Sequence, residues 1–390
     1  MYYLIFIILS IFSFLEIFGK NKNDKGFLII FLVLASVLML RYGQGTDYFG
    51  YKLVYDFFGF NLDEIIKNFI SSPNIKREIL FDLSIYLFKT LKLSYEVFVG
   101  VLSLFMMRCL YKFIMKFSKY KYITLFIFYT TYWLYFDSGI RQGIAISILL
   151  GYTTFYILEN KNFKALISIL IASLFHTSII IFLPILLIGK RKVFNTKVVI
   201  ILSIVSFTLA YTKIPIMLST LLPGNIEYRL SYYIIDTSGN ILALMNRTLV
   251  FILITVMNKF IKKEIKQSPK DLFLNIFFVG FILYCLLFNQ PLLAGRIGTY
   301  FRIFEIIIIP NLFYEIKQIN LDRKKMSTNN LKYRALIFCF VFFFAFNIIW
   351  YKNIKSWLVQ GSYINQSIMG YEYVSVFNKE RINQIRTRGL

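Results

Sequence analysis

The chain has 390 residues, 58% of them hydrophobic and 19% aromatic, and a formal net charge of +24. Its mean hydropathy of +0.64 and its apolar blocks of roughly 15–20 residues, each about a bilayer's width as a helix, exclude a soluble globular domain. The absence of period-2 strand patterning argues against a β-barrel. Because Lys and Arg sit mainly in short loops between the blocks, the charge reads as a positive-inside bias, with attraction to anionic lipid or phosphate second, and not as a nucleic-acid surface.

In chain order, the first apolar segment is 2–18, with Glu16 near its end. It lacks a basic n-region and a small-x-small cleavage site, so it reads as a span and not as a cleavable signal peptide. After the basic loop 19–25, a second segment covers 26–40 and ends at Arg41. The stretch RYGQGTDYFGYKLVYD is too polar to span. Residues 57–94 carry a break at Pro73 and the run ILFDLSIYLFKTL, an interfacial or bundle-packed amphipathic helix. Spans follow at 95–111, 122–136 and 140–158, the last two joined by the tight turn Asp137-Ser138-Gly139. Later spans are 198–211, 241–257, 271–288, 300–314 and 335–351. Cys109, Cys285 and Cys339 lie in or beside apolar segments without CxxC spacing, so neither a disulfide framework nor a zinc site is expected.

The block 165–188 can be one long span or two short arms hinged near His176. Charge decides between them. With a hairpin, the inside loops hold 24 of the 44 Lys and Arg residues; with one span, 15 of those positives move outside. The bias is strongest for short loops near span ends, which favours the hairpin and puts His176 at its extracytoplasmic tip. Re-entrant backbone of this kind is tolerated where protein buries it. The resulting expectation is an all-α polytopic membrane protein of about 11–12 membrane segments. Residues 1–390 form one integral membrane domain, with extracytoplasmic loops at 41–94 and 213–240 and an extracytoplasmic tail at 352–390. Loop 213–240 is long enough to be a lid.

On this topology several residues that are costly in hydrocarbon fall at one depth. Arg141 opens the span 140–158, and His176, the one histidine, tops the hairpin. Arg247 interrupts ILALMNRTLVFILITV, beside Asn246. Arg296 and Arg302 flank the start of the span 300–314, with Glu305 placed to pair with Arg302 at i,i+3. Arg41 closes the second span. Arg forks suit phosphate oxygens better than Lys does. Asp47 and the tyrosines of RYGQGTDYFGY, Tyr48 among them, have the chemistry to bind sugar by hydrogen bonding and stacking. The plainer readings are that Arg41 and Arg141 snorkel to headgroups, that Arg302 and Glu305 are a structural pair, and that His176 only hydrogen-bonds a neighbouring helix.

The pieces RYGQGTDYFGY at 41–51, GIRQGIAISILLGYTTFYILENKNFKALISILIASLFHTSIIIFLPI at 139–185 and GRIGTYFRIFEIIIIP at 295–310 resemble the EpsG family of membrane proteins, which is related to Wzy-type polysaccharide polymerases. The shared layout is an Arg-x-x-x-Ala stretch opening a span, a basic turn, and an Ala-x-x-Phe-His-x-Ser element before a Pro. Here those are Arg141 and Ala145, then Ala172, Phe175, His176, Ser178 and Pro184. The resemblance implies a GT-C-like bundle with a re-entrant or broken helix. It implies glycosyl transfer at the outer face of the bacterial cytoplasmic membrane, joining undecaprenyl-pyrophosphate-linked oligosaccharide repeat units into capsular or exopolysaccharide. Membrane lipid, a flippase and a chain-length regulator are the partners it implies. In that chemistry the arginines would stabilise the pyrophosphate leaving group, and His176, Asp47 or Asp137 would take the proton of the attacking hydroxyl. No acidic pair with metal-ligand spacing sits among the outer residues and there is no Gly-rich nucleotide loop, so neither a metal nor a cofactor is expected. The alternatives are a lipid-linked oligosaccharide flippase, which needs charges along a path through both leaflets, and a membrane O-acyltransferase, which needs a donor reached from inside.

Overall fold

The computed structural model describes residues 1–18, 24–45, 47–57, 61–71, 78–190, 195–212, 239–260, 269–322 and 373–381. The expected span 335–351, nearly all of loop 213–240, the break at Pro73 and most of the tail 352–390 lie outside these residues. The described residues are helical apart from turns and one isolated antiparallel bridge, Arg41 with Ser375. Three described helices are long and apolar enough to cross a membrane: Tyr95–Phe117, Ile241–Lys259 and Pro269–Leu286. Shorter apolar helices occupy Tyr2–Ile17, Asn162–Ser173, Thr177–Ile188 and Thr196–Leu209. The chain forms two compact units.

The first unit comprises Met1–Gly59, Ile85–Ser147 and Lys317–Leu390. Its longest helix, Tyr95–Phe117, is capped by Ser94, whose side chain accepts from the Val97 amide at 3.4 Å. Phe98, Met106, Leu110 and Phe113 are wholly buried, whereas Val97, Val101 and Leu104 are exposed. A soluble protein puts polar residues on its outward stripe; this helix puts valine and leucine there, as hydrocarbon requires. Glu16, in an otherwise apolar helix, accepts from the amides of Tyr122 and Ile123 at 2.9 and 3.1 Å. It thereby satisfies the orphan donors at the start of the helix Lys121–Ile127, which packs along Tyr2–Phe18.

The expected spans at 122–136 and 140–158 are both helical, and each contains one π-helical stretch, Phe128–Tyr132 and Leu149–Thr153. Thr154 Oγ1 donates to Leu149 O at 2.8 Å, five residues back, which matches the widened turn. The reversal between them needs little room. At Gly143 a Cβ would meet Tyr135 O at 2.6 Å, so only glycine lets the incoming helix start this close.

The second unit comprises Phe60–Ser84 and Ile148–Ile316. The helix Asn162–Ser173 stops short of His176, a 3-10 segment runs over Thr177–Phe182, and the short helix Ile185–Ile188 follows Pro184. These later pieces pack back on Asn162–Ser173. Gly189, at φ 54°, ends the return arm, and Lys190 Nζ donates to Leu158 O at 2.7 Å. The residue after the block thus meets the end of the helix that precedes it, Thr154–Leu158. The Thr196–Leu209 helix packs on Pro269–Leu286, which packs on Pro291–Arg302.

The expected span 300–314 differs in outline. Helix begins at Pro291, whose missing N–H and fixed φ suit the first turn, and is interrupted at Ile303–Phe304 before Glu305–Asp322 resumes. Tyr300 and Arg302 therefore lie in the last turn of a separate helix and not at the start of a span. The stretch 41–56 also contains helix, Tyr48–Phe57, where sequence polarity alone indicates only a non-spanning loop.

Candidate functional site

His176 lies where two helical pieces fail to join. Its backbone is extended, with φ −157° and ψ 106°, and its amide donates to Ala172 O at 2.9 Å. Its imidazole Nδ1 is 2.8 Å from Ser178 Oγ and 3.1 Å from Tyr300 Oη, and the two hydroxyls are 3.1 Å apart. Three hydrogen-bonding atoms thus form a closed triangle. Tyr300 reaches it from the Pro291–Arg302 helix and is fully buried. The amide of Leu80 donates to Leu174 O at 3.1 Å, holding the backbone just before the break.

The Pro291–Arg302 helix also carries the cationic residues. Arg296 is exposed and stands one turn before Tyr300 at i,i+4. Arg302 Nε is 3.0 Å from Glu305 Oε1, and its Nη2 donates to Asn246 Oδ1 at 3.3 Å. Glu305 is wholly buried, whereas Arg302 keeps 19% of its side chain exposed, so the pair is embedded but its cation is reachable. The Arg247 guanidinium carbon sits over the Tyr284 ring, 3.8 Å from its centroid. Gly298 makes space for it: a Cβ there would come within 3.0 Å of Arg247 Nη1. Arg247, Arg302, Glu305 and Tyr284 line a pocket with Gly280 and Phe281 whose free volume, about 20 Å³, is on the scale of a water molecule.

In the first unit, Arg41 does not snorkel. Its side chain and that of Asp137 are 0% and 1% exposed and pair at 3.2 Å. Arg41 Nη1 also donates to Leu38 O and, at 2.8 Å, to Ser103 Oγ. The loop after Arg41 turns through Gly43 at φ 65° and Gly45 at φ 90°. Gly45 packs against the Asp137–Ser138 backbone, where a Cβ would lie 3.0 Å from Ser138 Cα. Asp47 is exposed, and its amide donates to Ser138 Oγ at 3.3 Å. Tyr48 is buried among Tyr42, Phe49 and Tyr95. Arg141 is half-buried against Tyr51, with Nε 3.2 Å from the phenol oxygen and the guanidinium carbon 5.3 Å from the ring centre.

A segment of the tail completes this motif. Tyr42 N donates to Val374 O and Val376 N to Leu40 O, both at 2.9 Å. Tyr373 Oη donates to Val37 O at 2.8 Å, and burial, with Asp137 nearby, pushes its phenol pKa up and keeps it a neutral donor. Lys379 pairs with Glu96 at 2.8 Å.

The sequence model of the EpsG family matches residues 24–365, which takes in every sequence-predicted site residue but not the tail segment 373–381. The chain belongs to the EpsG family. EpsG is a Wzy-like family of polysaccharide polymerases, and its members act on lipid-linked oligosaccharide. No curated protein and no solved structure matches this chain. As an EpsG-family membrane protein it carries the sequence-predicted residues in two groups. His176, Arg247, Arg296, Arg302 and Glu305 fall in the second unit; Arg41, Asp47, Tyr48, Asp137 and Arg141 fall in the first. Tyr300, Tyr284 and Ser103 were not singled out from the sequence. Tyrosines are abundant in this chain, at 28, and composition does not separate one that meets a histidine from one at an interface.

Proposed function

We propose that the protein polymerises undecaprenyl-pyrophosphate-linked oligosaccharide repeat units into capsular or exopolysaccharide, at the outer face of the bacterial cytoplasmic membrane, as a metal-independent glycosyltransferase. The observation that carries this reading is the pairing of His176 with Tyr300 on a helix that also bears Arg296 and Arg302. One short helix thus brings two guanidinium groups and the phenol that contacts the proton acceptor His176. In the reaction, the acceptor sugar oxygen bonds to the donor's anomeric carbon while that carbon's bond to the diphosphate oxygen breaks. The hydroxyl proton passes to His176, and the diphosphate leaves with the bonding electrons. Arginine forks stabilise the charge that develops on it. Glu305 restrains Arg302, and Tyr284 restrains Arg247, so both cations are oriented before substrate arrives. Asp47, exposed beside Tyr48, and Arg141 serve the sugar or diphosphate as further contacts.

The membrane arrangement in this reading has about 11–12 segments in a GT-C-like bundle. The block about His176 enters from the inside as a re-entrant hairpin, supported by the meeting of Lys190 with Leu158. A flippase supplies the substrate and a chain-length regulator acts on the product. Lipid-linked intermediates in a deletion strain test the function. Accumulated single repeat units are expected; accumulated full-length lipid-linked polymer would instead identify a ligase.

Two further outcomes are expected. A single cysteine at position 191, on a cysteine-free background, should resist an impermeant reagent applied to sealed cells, while one in loop 213–240 should react. Labelling of position 191 from outside would sink the re-entrant arrangement. Arg141→Lys, Arg296→Lys and Arg302→Lys keep the charge but lose the fork, and each should lower polymer formation by about 10–100-fold with normal insertion. The same assay on Lys119→Gln should read near the unsubstituted level. Full activity in all three arginine variants would remove them from diphosphate binding.

A further inference from the structure

We propose that the tail segment 373–381 is a clasp that caps the end of the second helix and holds the stretch 41–51 in the shape it offers to substrate, with Tyr373 and Lys379 as positioning residues. The inference rests on the reading of that stretch as a substrate contact but makes its own claim, about what holds it.

The helix Asp24–Met39 ends without a glycine to turn its chain; Leu40 and Arg41 follow directly. The carbonyls of its last turn need donors from elsewhere, and here Val37 and Leu38 are buried. The Leu40 amide donates to Ser36 O at 2.9 Å, and the Arg41 guanidinium donates to Leu38 O. Val37 O instead accepts from Tyr373 Oη at 2.8 Å, 336 positions along the chain. Just past the helix, Leu40 O accepts from the Val376 amide at 2.9 Å. The tail therefore supplies the donor for one carbonyl of the last turn and for the first carbonyl beyond the helix.

The same segment closes on the stretch itself. Tyr42 N donates to Val374 O at 2.9 Å, so 40–42 and 374–376 pair as a short antiparallel bridge centred on Arg41 and Ser375. Val374 is wholly buried. Lys379 ties down the next turn, pairing with Glu96 of the Tyr95–Phe117 helix at 2.8 Å and lying 5.3 Å from the centre of the Tyr42 ring. Beyond the bridge the chain turns through Gly43 and Gly45 at positive φ, and glycine backbone has many alternatives, so its shape must be imposed by what it touches. The bridge does this on one side, as the Asp137–Ser138 backbone does on the other. The pairing also puts 373–381 on the same membrane face as 41–51. For the outer face, the six Lys and Arg residues of 352–390 would by themselves argue the other way.

Phe377 is 83% exposed, so Phe377→Cys, on a cysteine-free background, should react with an impermeant reagent applied to sealed cells. In full-length protein in lipid nanodiscs, Tyr373→Phe combined with Val376→Pro removes the donors to Val37 O and Leu40 O together. Amide hydrogen exchange of 41–51 should then be about tenfold faster or more. KM for the lipid-linked substrate should rise about tenfold with kcat little changed, the mark of lost binding and not of lost chemistry. Lys379→Glu, which sets like charges together at Glu96, should shift exchange and KM the same way, and combining it with Glu96→Lys should restore both. Reaction of Phe377→Cys only after the cells are opened overturns the proposal. So does unchanged exchange of 41–51 in both the Tyr373→Phe, Val376→Pro chain and Lys379→Glu, whatever the activity. Faster exchange with unchanged KM upholds the clasp and overturns the substrate-binding role of 41–51.

Discussion

His176→Gln and His176→Asn are expected to insert at normal levels, to bind lipid-linked substrate, and to lose polymer formation by about 10²–10⁴-fold, the range for removal of a general base. The fold gives the first part of that expectation a physical basis. His176 is half-buried at a break between helical pieces, and its backbone contacts, the Ala172 carbonyl and the Ile179 amide, do not involve the ring. Amide side chains reach the Ser178 and Tyr300 hydroxyls as donor or acceptor, so the triangle can re-form around them. What they lack is a site that takes a proton near neutral pH. The measurement is polymer made from purified lipid-linked repeat units, with substrate binding measured separately. Lost binding with normal insertion would reassign His176 to holding the diphosphate. Retained polymer amount and length in both variants would remove it from the reaction and shift the role of base to the exposed Asp47, since Asp137, the other carboxylate considered, is buried in its pair with Arg41.

The sequence makes some features legible because one physical cause dominates them. Among the described residues the apolar blocks are helical, three of them long enough to cross a membrane, and outward valines and leucines on Tyr95–Phe117 agree with that origin. Loop charge favours a hairpin about His176, and the helix does end at Ser173, just before it. Arg302 and Glu305 were placed together by helical spacing alone. Features set by long-range contact were not legible. Arg41 looks like an anchor at a span end, yet Asp137, 96 positions away, turns it inward. The pairing of 374–376 with 40–42 has no local signal at all, since two short backbone contacts and one tyrosine make it. The helix Pro291–Arg302 was hidden by its mixed composition; Pro291 at its first turn was the available cue.

Arg41→Met is expected to destabilise the protein by about 3–5 kcal/mol, because it strands the Asp137 carboxylate in a site from which water is excluded. Asp137→Leu should cost a similar amount by stranding the guanidinium. The pair holds more than itself. Arg41 also bonds Ser103 on the Tyr95–Phe117 helix, and Asp137 sits in the turn against which Gly45 packs. Loss of either charge should therefore loosen both the 41–51 loop and its contact with the segment 373–381. Replacing both partners with apolar side chains removes the uncompensated charge, so Arg41→Met combined with Asp137→Leu should recover much of the loss, whereas independent effects would add. Thermal unfolding in detergent, followed by loss of the monodisperse peak, reads this directly. Each single variant should melt about 5–15 °C below the unsubstituted protein, and the double variant closer to it. If Arg41 instead contacts the diphosphate, Arg41→Met should melt normally and fail to bind substrate, and that result would move Arg41 from the scaffold to the binding site.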